Sequence, residues 1–329
     1  MALKIFIQFI NRSILLNIVA VMEQGMVMRS TGSWYDVLSE DNIVYQCRLR
    51  GKFKIKDLKV TNPIAVGDQV QFELEDKDAS RGVITNILPR ENYIIRKSVH
   101  KSAFGHIIAA NIDQAILLVT LAFPRTSLGF IDRFLVAAES FRIPVVVVFN
   151  KIDLLDEVSL DYQQMIARLY ESIGYTSLFT SVLKGEGIKE FKDKLYHKKS
   201  LLAGHSGVGK SSLVNSIAPG LQLRTSEVST FANKGVHTTT FAEMFEITEG
   251  TFIIDTPGIK ELGLMDMEKE EVSHYFPEMR EKLGECRFYN CMHVHEPGCA
   301  VIAALGEGEI AESRYASYLS MLDDYDNRR

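Results

Sequence analysis

The chain has 329 residues, 46% of them apolar, which is enough to bury the cores of two or three domains. Its 37 basic and 42 acidic residues give a formal net charge of −5, so the composition excludes a protein that attracts nucleic acid by an overall positive field. Three of the four cysteines lie close together near the C-terminus, which favours a metal site over a disulfide framework. Such cysteine usage predicts a reducing, cytoplasmic location.

Residues 1–24 include an apolar segment of the kind found in signal peptides and membrane spans. Polar side chains interrupt it at Gln8, Asn11, Arg12 and Asn17. No uninterrupted stretch approaches the roughly 20 apolar residues that span a bilayer, and no small-residue cleavage site follows. We therefore interpret residues 1–24 as an extended N-terminus, with Met22 as the natural first residue, and we expect no membrane partner.

Residues 25–100 contain short alternating runs separated by turn residues, which predicts a small all-β domain. A five-stranded OB-fold barrel fits this length. Cations alternate with apolar or small residues along one stretch, at Arg48, Arg50, Lys52, Lys54 and Lys56. Like charges on one side of a strand gain from a nearby polyanion, which predicts a local RNA-binding surface. The alternative is an ordinary solvated strand face, since exposed lysines also protect sheet edges.

Residues 101–263 contain continuous apolar runs that alternate with helical stretches, as in AILLVTLA, FIDRFLVAAESFR and IPVVVVFNKID. Strands that are apolar throughout are typical of a parallel sheet covered on both faces. The sequence therefore predicts an α/β domain here. A helical domain rich in cysteine and histidine is expected over residues 264–329.

The motif GHSGVGKS lies between the apolar strand SLLA and the helical stretch SSLVNSIA, which is the context of a phosphate-binding loop. Backbone N–H groups of such a loop, with the helix N-terminus, bind phosphate oxygens. We expect Lys210 to bind the β- and γ-phosphates and support catalysis, and Ser211 to bind Mg²⁺. The predicted nucleotide-binding residues are Gly204, His205, Ser206, Gly207, Val208, Gly209, Lys210, Ser211 and Ser212.

Two further motifs complete a nucleotide site. Asp255 follows the apolar run TFII in D-T-P-G, where it can hold Mg²⁺ while the Gly258 N–H contacts the γ-phosphate. Asn150, Lys151 and Asp153 form N-K-x-D at the end of IPVVVVF. A carboxylate there accepts hydrogen bonds from guanine and rejects adenine, because unpaired buried polar groups are costly. Asp153 is the predicted guanine reader, and Asn150 and Lys151 brace its loop.

The order of these motifs differs from that of ordinary GTPases, in which the phosphate loop precedes N-K-x-D. Here Asn150 precedes Gly204, and Ser181 between them fits a second base-contacting loop. The chain therefore runs from base loops to phosphate loop to switches. This order predicts a circularly permuted P-loop GTPase domain.

Many stretches of the chain resemble the circularly permuted RsgA (YjeQ) family of ribosome-dependent GTPases. They include GDQV, LPREN, AANIDQ, IDRFLVAAE, NKIDLL, GHSGVGKSSLVN, GVHTTT, DTPGIKELGL, NCMHVHEPGCAV and RYASYL, and the resemblance extends from Gly25 to Tyr318. It implies an OB-fold barrel, a permuted GTPase core and a C-terminal zinc-binding domain. It also implies GTP hydrolysis in late maturation of the small ribosomal subunit, with ribosomal RNA as partner.

Two other functions are alternatives: a GTP-dependent switch that binds a different RNA, and a metabolic P-loop kinase. The N-K-x-D motif argues against the kinase. No heptad pattern is evident in the sequence, so we expect a monomer.

The stretch GVHTTT lies where the first switch should be. One of its threonines should bind Mg²⁺, and we favour Thr239, although β-branched residues are also typical of a strand start. Ile259 follows D-T-P-G where a Ras-like enzyme carries the glutamine that orients water, which predicts slow intrinsic hydrolysis. His237 is the candidate replacement, because the matching histidine of the resembling family is regarded as catalytic. The alternative is a structural hydrogen-bonding role for His237.

Cys286, Cys291, His293 and Cys299 supply three thiolates and one imidazole, a set that can surround Zn²⁺ tetrahedrally. His295 could replace His293, but the family pattern favours His293. A closed four-ligand site is structural, and zinc should supply folding free energy to this segment.

The helical stretch that follows the cysteine cluster carries Arg314, Tyr315 and Tyr318. We expect these side chains to pack on the zinc segment rather than stack on RNA. The second switch, from Asp255 to about Gly263, continues directly into the C-terminal domain. We therefore hypothesise that hydrolysis reorients that domain relative to the barrel.

Overall fold

The computed structural model describes residues 22–51, 62–75, 78–97, 105–221, 242–255 and 267–326. Its first five strands are β1 (Met22–Ser30), β2 (Tyr35–Ser39), β3 (Val44–Leu49), β4 (Gln69–Glu75) and β5 (Asp78–Ile87). The order is β1-β2-β3-β5-β4, and β1 also pairs with β4, so the sheet closes into a barrel. The predicted five-stranded OB-fold barrel is confirmed.

The barrel core follows from the alternation of side chains along each strand, in which every second residue points inward. Val37, Phe72 and Ile84 are among the apolar side chains buried there. On the outer face, Arg48 pairs with Glu75 at 2.8 Å and Arg50 pairs with Glu73 at 2.7 Å. Two of the five predicted surface cations therefore already have acidic partners, while Lys52, Lys54 and Lys56 lie outside the described residues.

The central domain is a six-stranded sheet in the order β10-β9-β8-β11-β13-β12. Its strands are β8 (Gln114–Val119), β9 (Val145–Asn150), β10 (Thr176–Thr180), β11 (Lys199–Ala203), β12 (Glu243–Thr248) and β13 (Thr251–Asp255). Its helices are α1 (Leu128–Ser140), α2 (Glu157–Ser172), α3 (Ile188–Leu195) and α4 (Lys210–Ile217). All strand pairs are parallel except β12–β13, and apolar clusters cover both faces. The predicted α/β domain is confirmed.

A hairpin of β6 (Tyr93–Lys97) and β7 (Gly105–Ala110) connects barrel and sheet. It lies across the predicted boundary between residues 100 and 101. The barrel also touches the sheet directly, because β1 pairs with β12 through Arg29 and Glu243.

Three stretches that carry the family resemblance meet at this barrel junction. Asp68 of GDQV is fully buried and accepts from Arg90 of LPREN at 2.6 and 2.7 Å, and from the Ala65 N–H at 2.8 Å. Asn111 of AANIDQ donates to the Gly67 carbonyl at 2.9 Å. Gly67 has a φ of 88°, and a Cβ there would lie 2.1 Å from the Ala110 carbonyl oxygen. Only glycine allows so close an approach.

The C-terminal module, residues 267–326, packs against α1. It contains the 3-10 helix Lys269–Tyr275 and the helices α5 (Pro277–Arg280), α6 (Ala300–Gly306) and α7 (Glu312–Asp326). Phe276 and Tyr318 of the module share one core cluster with Ile131 and Leu135 of α1. Within the described part of the chain, no helix is long and apolar enough to cross a bilayer.

Candidate nucleotide site and metal centre

The phosphate loop connects the end of β11 to the start of α4. Three of its glycines have positive φ: Gly204 at 137°, Gly207 at 84° and Gly209 at 99°. A Cβ on Gly204 would lie 2.4 Å from the Leu118 carbonyl oxygen, so the loop can lie this close to β8 only because residue 204 has no side chain. The loop therefore adopts the strand, loop and helix arrangement that its sequence predicts.

Lys210 occupies the first turn of α4, and its ammonium is held by the loop itself. It donates to the Gly204 carbonyl at 2.7 Å and to the His205 carbonyl at 2.8 Å. The neighbouring Ser211 and Ser212 lie on the same turn, with Ser206 exposed at the tip of the loop. This places the lysine charge on the loop and the two serines at the start of α4, where phosphates bind in P-loop proteins.

The predicted base loop is joined to the phosphate loop by direct hydrogen bonds. Asn150, only 3% exposed, donates to the Val208 carbonyl at 2.8 Å and accepts from the Thr180 hydroxyl at 2.9 Å. The Lys151 ammonium donates to the Gly207 carbonyl at 2.6 Å and to the Phe123 carbonyl at 2.9 Å. Asn150 and Lys151 therefore fix the distance between the two loops.

Asp153, the predicted guanine reader, is half-buried beside β10. The Ser181 hydroxyl donates to its carboxylate at 2.5 Å, and the Lys184 N–H donates to the same hydroxyl at 3.1 Å. Ser181 itself is fully buried. The two segments that the sequence assigns to base recognition are thus in contact, and the second one orients the carboxylate of the first.

Asp255 is the last residue of β13 and stands next to Leu202 of β11. Because parallel strands end at a common edge, its carboxylate lies at the edge from which the phosphate loop starts. The remaining predicted switch residues, His237, Thr239, Gly258 and Ile259, lie outside the described residues.

The four predicted metal ligands converge in the C-terminal module. The Sγ atoms of Cys286, Cys291 and Cys299 and a ring nitrogen of His293 all lie within 4.8 Å of one another. The His293 Nδ1 is 3.3 Å from the Cys299 Sγ and 3.6 Å from the Cys286 Sγ. Tetrahedral zinc requires ligand atoms roughly 3.5–3.8 Å apart, given its bond lengths. The four donor atoms can therefore hold a metal ion.

The segment of residues 286–299, the metal loop, is held by α7 and by one carboxylate. The Tyr315 hydroxyl donates to the His293 carbonyl at 2.7 Å, and the Tyr318 hydroxyl donates to the Met292 carbonyl at 2.6 Å. The Glu296 carboxylate accepts from backbone N–H groups within the loop. Burial raises the pKa of Glu296, but these hydrogen bonds outweigh it and lower the pKa to about 2. The expected packing of the tyrosines on the metal segment is confirmed.

Sequence reasoning missed a buried ionic cluster between α1 and the C-terminal module. Arg314 donates to Asp132 at 2.7 Å and to both oxygens of Glu278 at 2.7 and 3.2 Å. The Tyr170 hydroxyl donates to the same Asp132 oxygen at 2.8 Å. The guanidinium carbon of Arg314 also lies 4.5 Å from the Phe276 ring centroid. The one available signal was the presence of charged residues among apolar ones in two helical stretches, IDRFLVAA and RYASYL.

Comparison with known proteins agrees with this geometry. A family model described as RsgA GTPase matches residues 87–265, and one described as RsgA N-terminal domain matches residues 24–84. Two curated relatives carry the name small ribosomal subunit biogenesis GTPase RsgA. The Cytophaga hutchinsonii protein is 52% identical over 306 residues, covering 93% of this chain and 100% of that one. The Bacteroides fragilis protein is 49% identical over 301 residues, covering 92% and 96%.

Two solved structures are also similar. YjeQ from Thermotoga maritima superposes with a TM-score of 0.77 at 40% identity, covering 94% of this chain and 100% of that one. YloQ, described as a circularly permuted GTPase, superposes with a TM-score of 0.71 at 30% identity, covering 94% and 96%. With family models matched over both the barrel and the nucleotide-binding domain, the chain belongs to the RsgA family of circularly permuted GTPases.

Proposed function

We propose that this GTPase acts in late maturation of the small ribosomal subunit, and that contact with the subunit stimulates its hydrolysis of GTP. The hydrogen bonds that join the phosphate loop to the N-K-x-D loop, and Asp153 of that loop to Ser181, support the proposal, because they bring together residues that a guanine nucleotide site requires. The names of the relatives supply the ribosomal setting.

Within this site we assign separate tasks to the residues. Asp153 accepts from the guanine base, and Ser181 holds that carboxylate in place. Lys210 leaves the carbonyls of Gly204 and His205 to bind the β- and γ-phosphates, because a charge-assisted bond to phosphate is stronger than one to a neutral carbonyl. The remaining phosphate-loop residues, Ser206 to Gly209 and Ser212, bind through their backbone.

Ser211, Asp255 and Thr239 would hold Mg²⁺, which neutralises charge developing on the phosphates. We propose that the Gly258 N–H contacts the γ-phosphate and that His237 orients the attacking water, since the glutamine position carries Ile259. Without that glutamine, hydrolysis by the isolated protein is slow.

For its partners, we propose ribosomal RNA bound in part through the barrel. Because Arg48 and Arg50 already pair with acids, we propose that Lys52, Lys54 and Lys56 contribute most of the charge that attracts RNA. We assign one structural Zn²⁺ to the metal loop and propose a monomer that works in the cytoplasm. We keep the division into residues 25–100, 101–263 and 264–329 as a proposal.

The first test compares hydrolysis of GTP and ATP by the zinc-loaded protein, alone and with isolated small subunits. We expect hydrolysis of GTP only, and faster hydrolysis with subunits. Equal stimulation by free RNA would favour the switch that acts on a different RNA. No stimulation by either would contradict the ribosomal part of the proposal and leave the GTPase assignment standing.

Base recognition has its own test in Asp153→Asn. An amide presents a donor where guanine needs an acceptor, so we expect the use of GTP to fall at least about 100-fold and the use of xanthosine triphosphate to rise. The matched control is Asp156→Asn, three residues further along, where the carboxylate caps α2 by accepting from the Ser159 N–H. That variant should keep its preference for GTP.

A further inference from the structure

Helix α1 touches the phosphate loop at its first turn. Ser127 caps the helix by accepting from the Phe130 N–H at 3.2 Å, which fixes the position of Phe130. The Phe130 ring packs against the His205 ring, with centroids 3.9 Å apart. A residue of the phosphate loop therefore rests on α1 through its side chain.

The same helix holds the C-terminal module. Asp132 lies two residues after Phe130 and is fully buried, and Arg314 of α7 binds it at 2.7 Å. Arg314 is itself only 1% exposed, and Glu278 fixes the remainder of its guanidinium. A buried charge held by two carboxylates has one well-defined position, so α7 cannot shift on α1 without breaking the cluster.

From α7 the contacts continue to the metal ligands. Tyr315 and Tyr318 follow Arg314 on the helix, and their hydroxyls bind the carbonyls of His293 and Met292. The backbone of a metal ligand is thus attached to the helix that is fixed on α1. A continuous series of contacts joins the phosphate loop, α1, α7 and the metal loop.

Lys210 links the phosphate-loop end of this series to the proposed nucleotide site. The Lys210 ammonium donates to the His205 carbonyl, the same residue whose ring packs on Phe130. On the role we assign to Lys210, phosphate takes this donor away and the His205 backbone must adjust. Conversely, the position of α1 determines where His205 rests before nucleotide arrives.

We propose that Phe130 and Arg314 are positioning residues that couple the two sites: zinc in the metal loop improves nucleotide binding, and bound nucleotide retains zinc. The coupling is reciprocal because the two binding equilibria share one structure. This inference rests on the nucleotide and zinc assignments of the proposed function, but it requires no ribosome. It provides a route from nucleotide to C-terminal module through α1, besides the hypothesised route through the second switch.

The test measures the zinc affinity of the full-length protein by equilibrium competition with a chromogenic chelator, with and without saturating GDP. We expect GDP to raise the zinc affinity on the order of fivefold, the lower range of typical couplings. In Phe130→Ala, the ratio of the zinc affinities measured with and without GDP should approach one. Phe130→Tyr, which keeps the ring, should restore the wild-type ratio. The matched control is Phe141→Ala at the other end of α1, where the ring packs on Tyr93 rather than on His205. That variant should keep the ratio.

The reciprocal measurement is the affinity for a fluorescent GDP before zinc removal, after it, and after zinc is restored. The wild-type protein should lose affinity by the same factor and regain it, and Phe130→Ala should show neither change. Equal zinc affinity with and without GDP in the wild-type protein overturns the inference, as does an unchanged ratio in Phe130→Ala. If GDP binds but zinc and GDP show no coupling, only this inference is wrong. If GDP does not bind, the nucleotide assignment is wrong as well.

Discussion

An arginine ion pair lies at each of the two junctions of the GTPase domain, but the two junctions are built differently. At the barrel junction, Arg90 is 10% exposed, and its partner Asp68 also accepts from a backbone N–H group. At the C-terminal junction, Arg314 is 1% exposed and lies between two carboxylates, Asp132 and Glu278. The barrel junction combines an ion pair with a hydrogen bond from a backbone N–H group, and the residues involved are near one another in sequence. The second joins residues that are far apart in sequence.

This difference determines how each junction responds to the loss of a side chain. Backbone partners remain when one side chain is changed, so the barrel junction should weaken by degrees. A cluster of charges withdrawn from water depends on all of its members, since removing one leaves an uncompensated charge buried. The C-terminal junction also depends on a metal loop that lies against α7. We therefore expect the C-terminal junction to lose more stability than the barrel junction when one of its side chains is removed.

Removal of zinc should produce the largest contrast between the junctions. Zinc binding supplies folding free energy, on the order of 10 kcal/mol in isolated zinc modules. Removal of zinc by a chelator should therefore unfold residues 267–326. Amide hydrogen exchange should show loss of protection in α6 and α7, while the barrel strands keep theirs. Protection of α7 that survives complete zinc removal would contradict the dependence of this junction on metal.

The next largest effect is expected for Arg314→Met. Methionine fills much of the volume but leaves Asp132 and Glu278 buried without a cation, which should lower the free energy of unfolding by about 3–5 kcal/mol. Burial already raises the pKa of Asp132, so this carboxyl should take up a proton in the variant. Chemical denaturation of the zinc-loaded protein measures the effect. Arg168→Met, on the exposed side of α2, is the control and should change stability by less than about 0.5 kcal/mol.

A smaller loss, about 2 kcal/mol, is expected for Arg90→Met at the barrel junction, because Asp68 keeps the Ala65 N–H as a donor. Its control is Arg50→Met, which breaks a pair of nearly the same length whose arginine is 60% exposed. Exposed pairs contribute about 0–1 kcal/mol, so that variant should be nearly silent. An Arg90→Met loss as large as that of Arg314→Met would remove the distinction between the junctions.

The sequence predicts those parts of the molecule in which function requires particular residues at short spacing. The phosphate loop, the N-K-x-D loop and the cysteine cluster are of this kind, and in each the structure brings the named residues together. Alternating polarity likewise predicts the barrel and continuous apolar runs predict the parallel sheet, because each pattern matches the burial of a strand.

Charge pairing over long separations could not be predicted. Asp132 and Arg314 are 182 residues apart on two helices that also carry other charges, and nothing local indicates that one meets the other. For the same reason, the row of barrel cations gave no sign that Glu73 and Glu75 neutralise two of them. Pairing of this kind depends on the tertiary arrangement rather than on propensity or spacing.

The smallest effect tests the support of the metal loop by Glu296. In the folded protein its pKa is lowered to about 2, below the ordinary value of a glutamate, by hydrogen bonds that include those from the Met292 and Val294 N–H groups. The ionised carboxylate therefore stabilises the fold at every pH above about 4.5, and this contribution is lost as the pH falls towards 2.

At pH 7, Glu296→Gln keeps one carbonyl acceptor and loses the charge, which should cost about 1 kcal/mol after allowance for solvent screening. Thermal unfolding of zinc-loaded protein at pH 7 and pH 5.5 should give the same difference from wild type, because the folded carboxylate is ionised at both values. Glu307→Gln, an exposed residue just after α6, is the control. No difference from wild type at either pH would mean that the Glu296 carboxylate does not stabilise the fold and that the loop is held by zinc and α7 alone.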